Sequence, residues 1–198
     1  MTEEKYFFEE EIFSKPIYKF RFESDEELIK DILRYKKSGK VLELGCGEGG
    51  TSLELARRGF DVTCIDISKS AIIAIKERAK KEKIKINAIC EDLDNYKIDD
   101  NYDIIIANGF FHFLKKERVF ELIGDCKEHT NSGGIHLIEV LLEGDPSQEE
   151  DSEGYYFPKN KLEEIYLDWI VKEYKEYEEF DGEKEWNNKL AGIIAARG

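Results

Sequence analysis

No apolar run in this chain approaches the length needed to cross a bilayer, so a membrane span is not expected. The amino terminus, Met1-Thr2-Glu3-Glu4-Lys5, lacks the pattern of a secretory signal, and a cytoplasmic protein is the expectation. Cysteine is sparse: Cys46, Cys64, Cys90 and Cys126 show no paired spacing and read as reduced thiols rather than a disulfide framework. Only three histidines occur, His112, His129 and His136, again without ligand spacing, so no metal site is expected. Basic residues are in deficit, 30 Lys and Arg against 44 Asp and Glu, for a net charge of -14. That balance opposes binding to nucleic acid backbone or to an anionic membrane, and favours a small neutral or cationic partner. With 198 residues the chain has room for one α/β domain with a substantial core, and not for two.

What is present is concentrated in Lys40-Val41-Leu42-Glu43-Leu44-Gly45-Cys46-Gly47-Glu48-Gly49-Gly50-Thr51. Val41, Leu42 and Leu44 read as a short buried strand, four glycines follow within six residues, and Thr51 to Ala56 opens an amphipathic helix. A strand that breaks at glycines and restarts as a helix brings bare backbone close to a ligand. Gly45, Gly47 and Gly50 fit the dinucleotide pattern G-x-G-x-x-G, so NAD is one reading. Glu43, two residues before the first glycine, opposes it, because a carboxylate there repels a pyrophosphate. The same carboxylate suits S-adenosylmethionine, which carries a sulfonium and an ammonium and no phosphate. A charge pair ~4 Å apart is worth about 1 kcal/mol in water and about 4 kcal/mol at intermediate dielectric, enough for one residue to tilt the choice.

The remaining pattern alternates strand and helix. Ser24 to Glu27 reads as a capping box for a helix with Leu28, Ile29, Ile32 and Leu33 inward. Val62 to Ile65 is a second strand ending at Asp66, twenty-one residues after Gly45, where an acid accepts hydrogen bonds from ribose hydroxyls. Ser68 to Lys83 is a helix, Ile84 to Cys90 a third strand with Asp92 and Leu93 after it, and Tyr102 to Ala107 a fourth. That strand runs into Asn108-Gly109-Phe110-Phe111-His112-Phe113, expected at the binding crevice. Asn108 is assigned to the methionine end of the cofactor, and His112 either acts as a base or only orients the acceptor. Lys116 to Glu128 is a helix, Asn131 to Gly134 a turn, and Ile135 to Leu141 a fifth strand in which His136 is structural. Residues 143 to 158 form a polar loop tipped by Tyr155-Tyr156-Phe157, either without purpose or a lid that excludes water. A short helix from Asn160 and a final hairpin, Trp169 to Tyr177 and Lys189 to Ala196 turning at Asp181 to Lys184, complete the chain. The aromatic arm of residues 1 to 23 either packs on the domain or covers the site.

The acid-x-Gly-x-Gly-x-Gly order of Glu43, Gly45, Gly47 and Gly49 resembles the first motif of class I S-adenosylmethionine-dependent methyltransferases. More narrowly, Val41 to Gly49, Arg58 to Thr63 and Asp66 to Lys69 resemble the tellurite-resistance branch, supported by Asn101 to Ile105, Asn131 to Gly134 and Phe157-Pro158. The resemblance implies a doubly wound, seven-stranded, mostly parallel α/β sheet ending in an antiparallel hairpin. It divides the chain into an arm and capping helix, 1–39, and a cofactor-binding domain, 40–198. It implies a cofactor set of Glu43, Gly45, Cys46, Gly47, Gly49, Asp66, Ile67, Asp92, Leu93 and Asn108, with Asp92 toward the adenine amine. The activity implied is methyl transfer to a small-molecule nucleophile, a thiol, chalcogen or other small acceptor. An NAD-dependent oxidoreductase and a non-catalytic cofactor-binding protein are the alternatives. Two departures stand out. The branch commonly has Asp where Glu43 sits, and it carries a His-Arg pair and a further Arg around its last hairpin, where Tyr177 to Glu183 is acidic here. Cofactor binding carries over through these motifs and the oxyanion substrate does not.

Overall fold

The computed structural model describes residues 24–149, 153–181 and 185–198. The expectations for the amino-terminal arm and for part of the final turn therefore lie outside the described residues. One seven-stranded sheet runs through the molecule in the order β3-β2-β1-β4-β5-β7-β6. Its strands are β1 (Lys40–Leu44), β2 (Asp61–Asp66), β3 (Asn87–Cys90), β4 (Tyr102–Asn108), β5 (Thr130–Leu141), β6 (Ile170–Asp181) and β7 (Trp186–Ala196). The first five pair in parallel, and β7 runs antiparallel to both β5 and β6. This is the doubly wound sheet with a terminal antiparallel hairpin that the βα alternation and the motif resemblance implied.

The central strands are apolar on both sides because helices cover both faces. On one face α1 (Glu26–Tyr35), α2 (Gly50–Arg57) and α3 (Lys69–Glu82) pack Ile29, Ile32, Leu55, Ala56, Ile72 and Ile75 against Val41, Val62, Cys64 and Ile104. On the other, α4 (Lys116–Glu128) and α5 (Lys161–Ile165) pack Val119, Leu122, Ile123 and Leu162 against Leu42, Leu44, Ile105 and Ala107. Each of the Val, Leu and Ile side chains fully buried contributes about 1.5–3 kcal/mol before chain entropy is charged against it. The winding turns from β1 outward to β3, then restarts at β4 on the other side of β1. The carboxyl ends of β1 and β4 thus flank the crevice where ligands of such sheets bind.

Several local expectations change. The cap of α1 is Asp25 rather than Ser24: its carboxylate accepts from the N–H groups of Glu27 and Leu28, both at 2.9 Å. A charged acceptor at the positive end of the helix outcompetes a hydroxyl one residue earlier. β3 begins at Asn87 and not Ile84, because the start of the segment is spent closing α3. Lys83 sits at φ 59° and its N–H reaches the Lys80 carbonyl at 3.3 Å, while the Ile84 N–H reaches Ala79 at 3.1 Å, the paired bonds of a Schellman motif. The turn expected over Asn131 to Gly134 lies inside β5, which starts at Thr130 and whose register against β4 shifts between Tyr102 and Ile104.

Tyr155-Tyr156-Phe157 is not an exposed lid tip. Phe157 is fully buried, its N–H bonds to the Leu141 carbonyl at 2.9 Å, and its own carbonyl accepts from Glu143 at 2.9 Å. Tyr156 is buried on Leu141 and Leu190, and Tyr155 packs against Phe120 at 5.5 Å. Three consecutive rings carry more apolar surface than a solvent loop tolerates, so the chain returns them to the sheet. His136 is structural, as its place within β5 implied. Thr130 Oγ1 donates to the Cys126 carbonyl at 2.6 Å and so accepts from His136 Nε2 at 2.7 Å, leaving Nδ1 to accept from the Tyr166 hydroxyl at 2.7 Å. Burial holds this imidazole neutral, with its pKa lowered to about 3.

Candidate functional site

The β1–α2 loop is built on left-handed backbone: Gly45, Gly47 and Gly49 have φ of 68°, 50° and 72°. The three glycines face different surroundings. A Cβ on Gly45 would meet the Phe110 ring at 2.8 Å and one on Gly49 would meet Ile75 Cδ1 at 2.5 Å, whereas one on Gly47 would meet nothing within 4 Å. Close packing therefore demands the outer glycines, and the middle one faces open space where a ligand has room to lie against the backbone. Cys46 turns into the core beside Cys64; its N–H bonds to Ile65 and its carbonyl to Gly49, at 3.0 and 2.8 Å. Its thiol is held well above the usual range, first by its contact with Cys64 and then by burial, so it stays protonated. What Cys46 offers a ligand is shape rather than a polar group.

Three carboxylates stand at neighbouring strand ends. Glu43 points to the α2 side of β1, where the Ser52 hydroxyl donates to its Oε2. Burial pushes its pKa up to about 7, the Ser52 bond opposes the rise, and the nearby Asp66 charge adds to it. Asp66, at the end of β2, receives the Gly47 N–H on one oxygen and the Ser68 N–H on the other, both at 2.8 Å. It is the strap between the glycine loop and β2, while Ser68 itself caps α3 through the Ala71 N–H at 3.0 Å. A carboxylate oxygen has two lone pairs, so accepting a backbone N–H does not by itself bar a ribose hydroxyl. The Glu91 N–H bonds to the Asp66 carbonyl at 3.0 Å, which places Asp92 beside Asp66 at the strand ends. The Asp92 turn is fixed from α4 by Arg118, whose guanidinium donates to the carbonyls of Leu93 and Tyr96 at 2.8 and 2.6 Å. Ile67 is half-buried next to Asp66, and Leu93 is buried beneath the turn.

Across the crevice Asn108 ends β4, opposite Glu139 of β5, and the Gly109 N–H bonds to the Glu139 carbonyl at 3.2 Å. His112 lies in a 3-10 turn, Phe111–Phe113, half-buried, with its ring 3.9 Å from Phe113 and 6.0 Å from Tyr156. The fold thus brings Glu43, the glycines, Asp66, Ile67, Asp92 and Leu93 to one edge and Asn108 to its border. A set of three acids around an open glycine backbone fits a cationic adenosyl ligand and does not fit a pyrophosphate.

The family described as Tellurite resistance protein TehB matches residues 6–189. The chain belongs to the TehB family. It is 39% identical over 137 residues to a Haemophilus influenzae protein described as a probable S-adenosyl-L-methionine-dependent methyltransferase TehB, covering 69% of this chain and 48% of that protein. The crystal structure of TehB from Haemophilus influenzae superposes with a TM-score of 0.80 at 32% identity, over 88% of this chain and 63% of the other. Magnesium protoporphyrin IX methyltransferase from Synechocystis with bound S-adenosylmethionine superposes with a TM-score of 0.66 at 14% identity, over 87% of this chain and 77% of that one, a likeness of fold alone. The description of the Haemophilus influenzae relative names the class and cofactor that the motif resemblance implied, an S-adenosylmethionine-dependent methyltransferase. The chain spans about half the length of the curated TehB relative it matches.

Within this TehB-family frame the structure adds residues that the sequence did not single out. Ser52 is the partner of Glu43, and Arg118 is the clamp on the Asp92 turn. Glu139 is a lone acid in the apolar run Ile135 to Leu142, on the face shared by Ile135 and Leu137, where the Tyr177 hydroxyl donates to it. The signal for Glu139 was the break in that run, legible only once β5 is placed beside Asn108. No group of three or more potential metal ligands occurs among the described residues, and no helix among them is long and apolar enough to cross a membrane.

Proposed function

We propose that this chain moves the methyl group of S-adenosylmethionine to a small-molecule nucleophile, in the cytoplasm and without nucleic acid or membrane as partner. The observation that carries the reading is the convergence of Glu43, Asp66 and Asp92 on a glycine loop whose one open backbone position is Gly47. Glu43 and Asn108 hold the methionine end, and Gly45, Gly47 and Gly49 let the ligand lie against main chain. Asp66 accepts from the ribose with Ile67 beside it. Asp92 and the Leu93 N–H face the adenine edge, with the Leu93 side chain as an apolar wall and Cys46 fixing the shape of the loop. Bound S-adenosylmethionine supplies a methyl group already activated by a sulfonium leaving group. The residues of this chain therefore act by alignment and by keeping water out. His112, in the 3-10 turn after β4, is the candidate for orienting the acceptor or accepting its proton.

The test is calorimetry with S-adenosylhomocysteine and with NADH on folded, ligand-free protein. S-Adenosylhomocysteine binds wild type, and Gly47→Ala, which puts a methyl into the open space, weakens it by at least about tenfold, or 1.4 kcal/mol. Heat with NADH and none with S-adenosylhomocysteine would overturn the reading in favour of an oxidoreductase. Cofactor binding with no transfer to thiols, amines or phenols would leave a non-catalytic binding protein.

A further inference from the structure

Next to Asn108 at the end of β4, and over the middle of β5 and β7, lies a second feature, a cavity of about 770 Å³ that shares only Asn108 with the cofactor residues. Leu137, Glu139, Gly192 and Ile194 give it a floor on the sheet, β6 gives it a side wall, and the first turns of α1 border it opposite. Gly192 keeps that floor low, since a Cβ there would lie 3.7 Å from Lys175 Cε and 3.9 Å from the Tyr177 ring. Glu139 is partly buried in the floor and is directly opposite Asn108 in the strand register. The Tyr177 hydroxyl donates to its Oε2, which orients the carboxylate and leaves acceptor capacity toward the cavity.

We propose that this cavity is the methyl-acceptor pocket, and that Glu139, oriented by Tyr177, binds a small primary or secondary amine there and takes its proton. The proposal rests on the methyltransferase reading above, names the acceptor class for it, and gives the acceptor's proton to Glu139 in place of His112, which does not line the cavity. The cavity wall carries Asp25, Asp31, Glu173 and Glu179 besides Glu139, against Lys172 and Lys175, with Arg34 tied to Glu173. An ammonium offers only N–H donors, which suits carboxylates and the Asn108 amide oxygen, whereas an oxyanion would meet these carboxylates head on. An ammonium also has no lone pair with which to attack. The proton passes from its nitrogen to a Glu139 carboxylate oxygen, and the freed nitrogen lone pair forms the bond to the methyl carbon. The sulfur–carbon bond breaks with its electron pair returning to sulfur, and the Glu139 proton goes to water as the methylated ammonium leaves. Burial raises the basicity of Glu139, Glu179 and Asp25 add to it, and the Tyr177 hydroxyl and Lys175 oppose it.

The experiment is calorimetry of benzylamine and of benzoate, two probes of one shape and opposite charge, into protein saturated with S-adenosylhomocysteine. Benzylamine binds at least about tenfold more tightly than benzoate, and Glu139→Gln weakens it by at least about tenfold, as loss of a charged hydrogen bond does. S-Adenosylhomocysteine affinity in Glu139→Gln stays within about twofold of wild type. Tyr177→Phe, which keeps the ring and removes only the hydroxyl, weakens benzylamine as well and serves if Glu139→Gln does not fold. Benzoate binding as well as benzylamine, no benzylamine binding at all, or equal benzylamine affinity in wild type and variants would each overturn the proposal. Failure of S-adenosylhomocysteine to bind wild type would instead overturn the methyltransferase reading.

Discussion

Replacing Glu43 with glutamine removes one charge while keeping an acceptor for the Ser52 hydroxyl, and it separates the electrostatic part of this site from its shape. The carboxyl of Glu43 is raised to about 7, first by burial and then by the Asp66 charge, so near neutrality the free protein holds it half protonated. A cationic ligand binds the ionised form. With a pKa of about 7, the ionised fraction makes S-adenosylmethionine bind about tenfold more weakly at pH 6 than at pH 8, or about 1.4 kcal/mol. In Glu43→Gln that slope disappears, and affinity at pH 8 falls by about 1.5–3 kcal/mol. The folding side has the opposite sign. A carboxyl whose folded value lies above its unfolded value near 4.5 contributes stability that is complete below pH 4.5 and is lost as pH rises toward 7. The loss is at most about 3 kcal/mol, so Glu43→Gln unfolds at higher denaturant than wild type at pH 8 and not at pH 4.5. Calorimetry from pH 6 to 8 in buffers of differing ionisation enthalpy, beside urea melts at both pH values, measures the two halves. Wild-type affinity that does not change with pH, or a slope that survives in Glu43→Gln, would refute the reasoning.

Asp66→Asn places an NH₂ group against the Gly47 or Ser68 N–H, so S-adenosylhomocysteine affinity falls by at least about 100-fold, or ~2.7 kcal/mol, in the same calorimeter. Tyr166→Phe leaves His136 Nδ1 buried without a donor and lowers stability by about 1–3 kcal/mol in urea melts, with cofactor affinity unchanged because the pair lies away from the glycine loop. Lys83→Gly relieves a left-handed residue at the exposed end of α3 and raises stability by about 0.5–1 kcal/mol, read as roughly 1–4 °C in the melting temperature.

Much of this protein was legible in its order of residues, and the reason is local. Strand periodicity, four glycines in six residues and an acid twenty-one positions after Gly45 each depend on neighbours within a few turns of chain. Local steric and hydrogen-bond rules act at that range, so β1, α2, β2, α3 and α4 could be placed, and with them Glu43, the glycines and Asp66. His136 could be read as structural for the same reason, as a polar residue inside an apolar strand. Short-range competition was harder to weigh. Asp25 displaced Ser24 as a cap, and the Schellman closure of α3 consumed the start of the third strand, because a pair of hydrogen bonds decided each.

Side-chain contacts between distant segments were the hardest to read. Tyr155 to Phe157 looked like a loop tip until the bridge from Leu142 to Phe157 returned it to the sheet. Glu139 and Tyr177 lie 38 residues apart, and neither carries a motif. The glycine loop, its flanking acids, the sheet and the family were thus legible in the sequence itself, since a glycine turn and its flanking acid keep their chemistry wherever the domain folds. The cavity over β5 and β7, its charge and its pairing of Glu139 with Tyr177 were decided only when β7 inserted antiparallel between β5 and β6, because register across a sheet, not position along a chain, chooses which side chains meet.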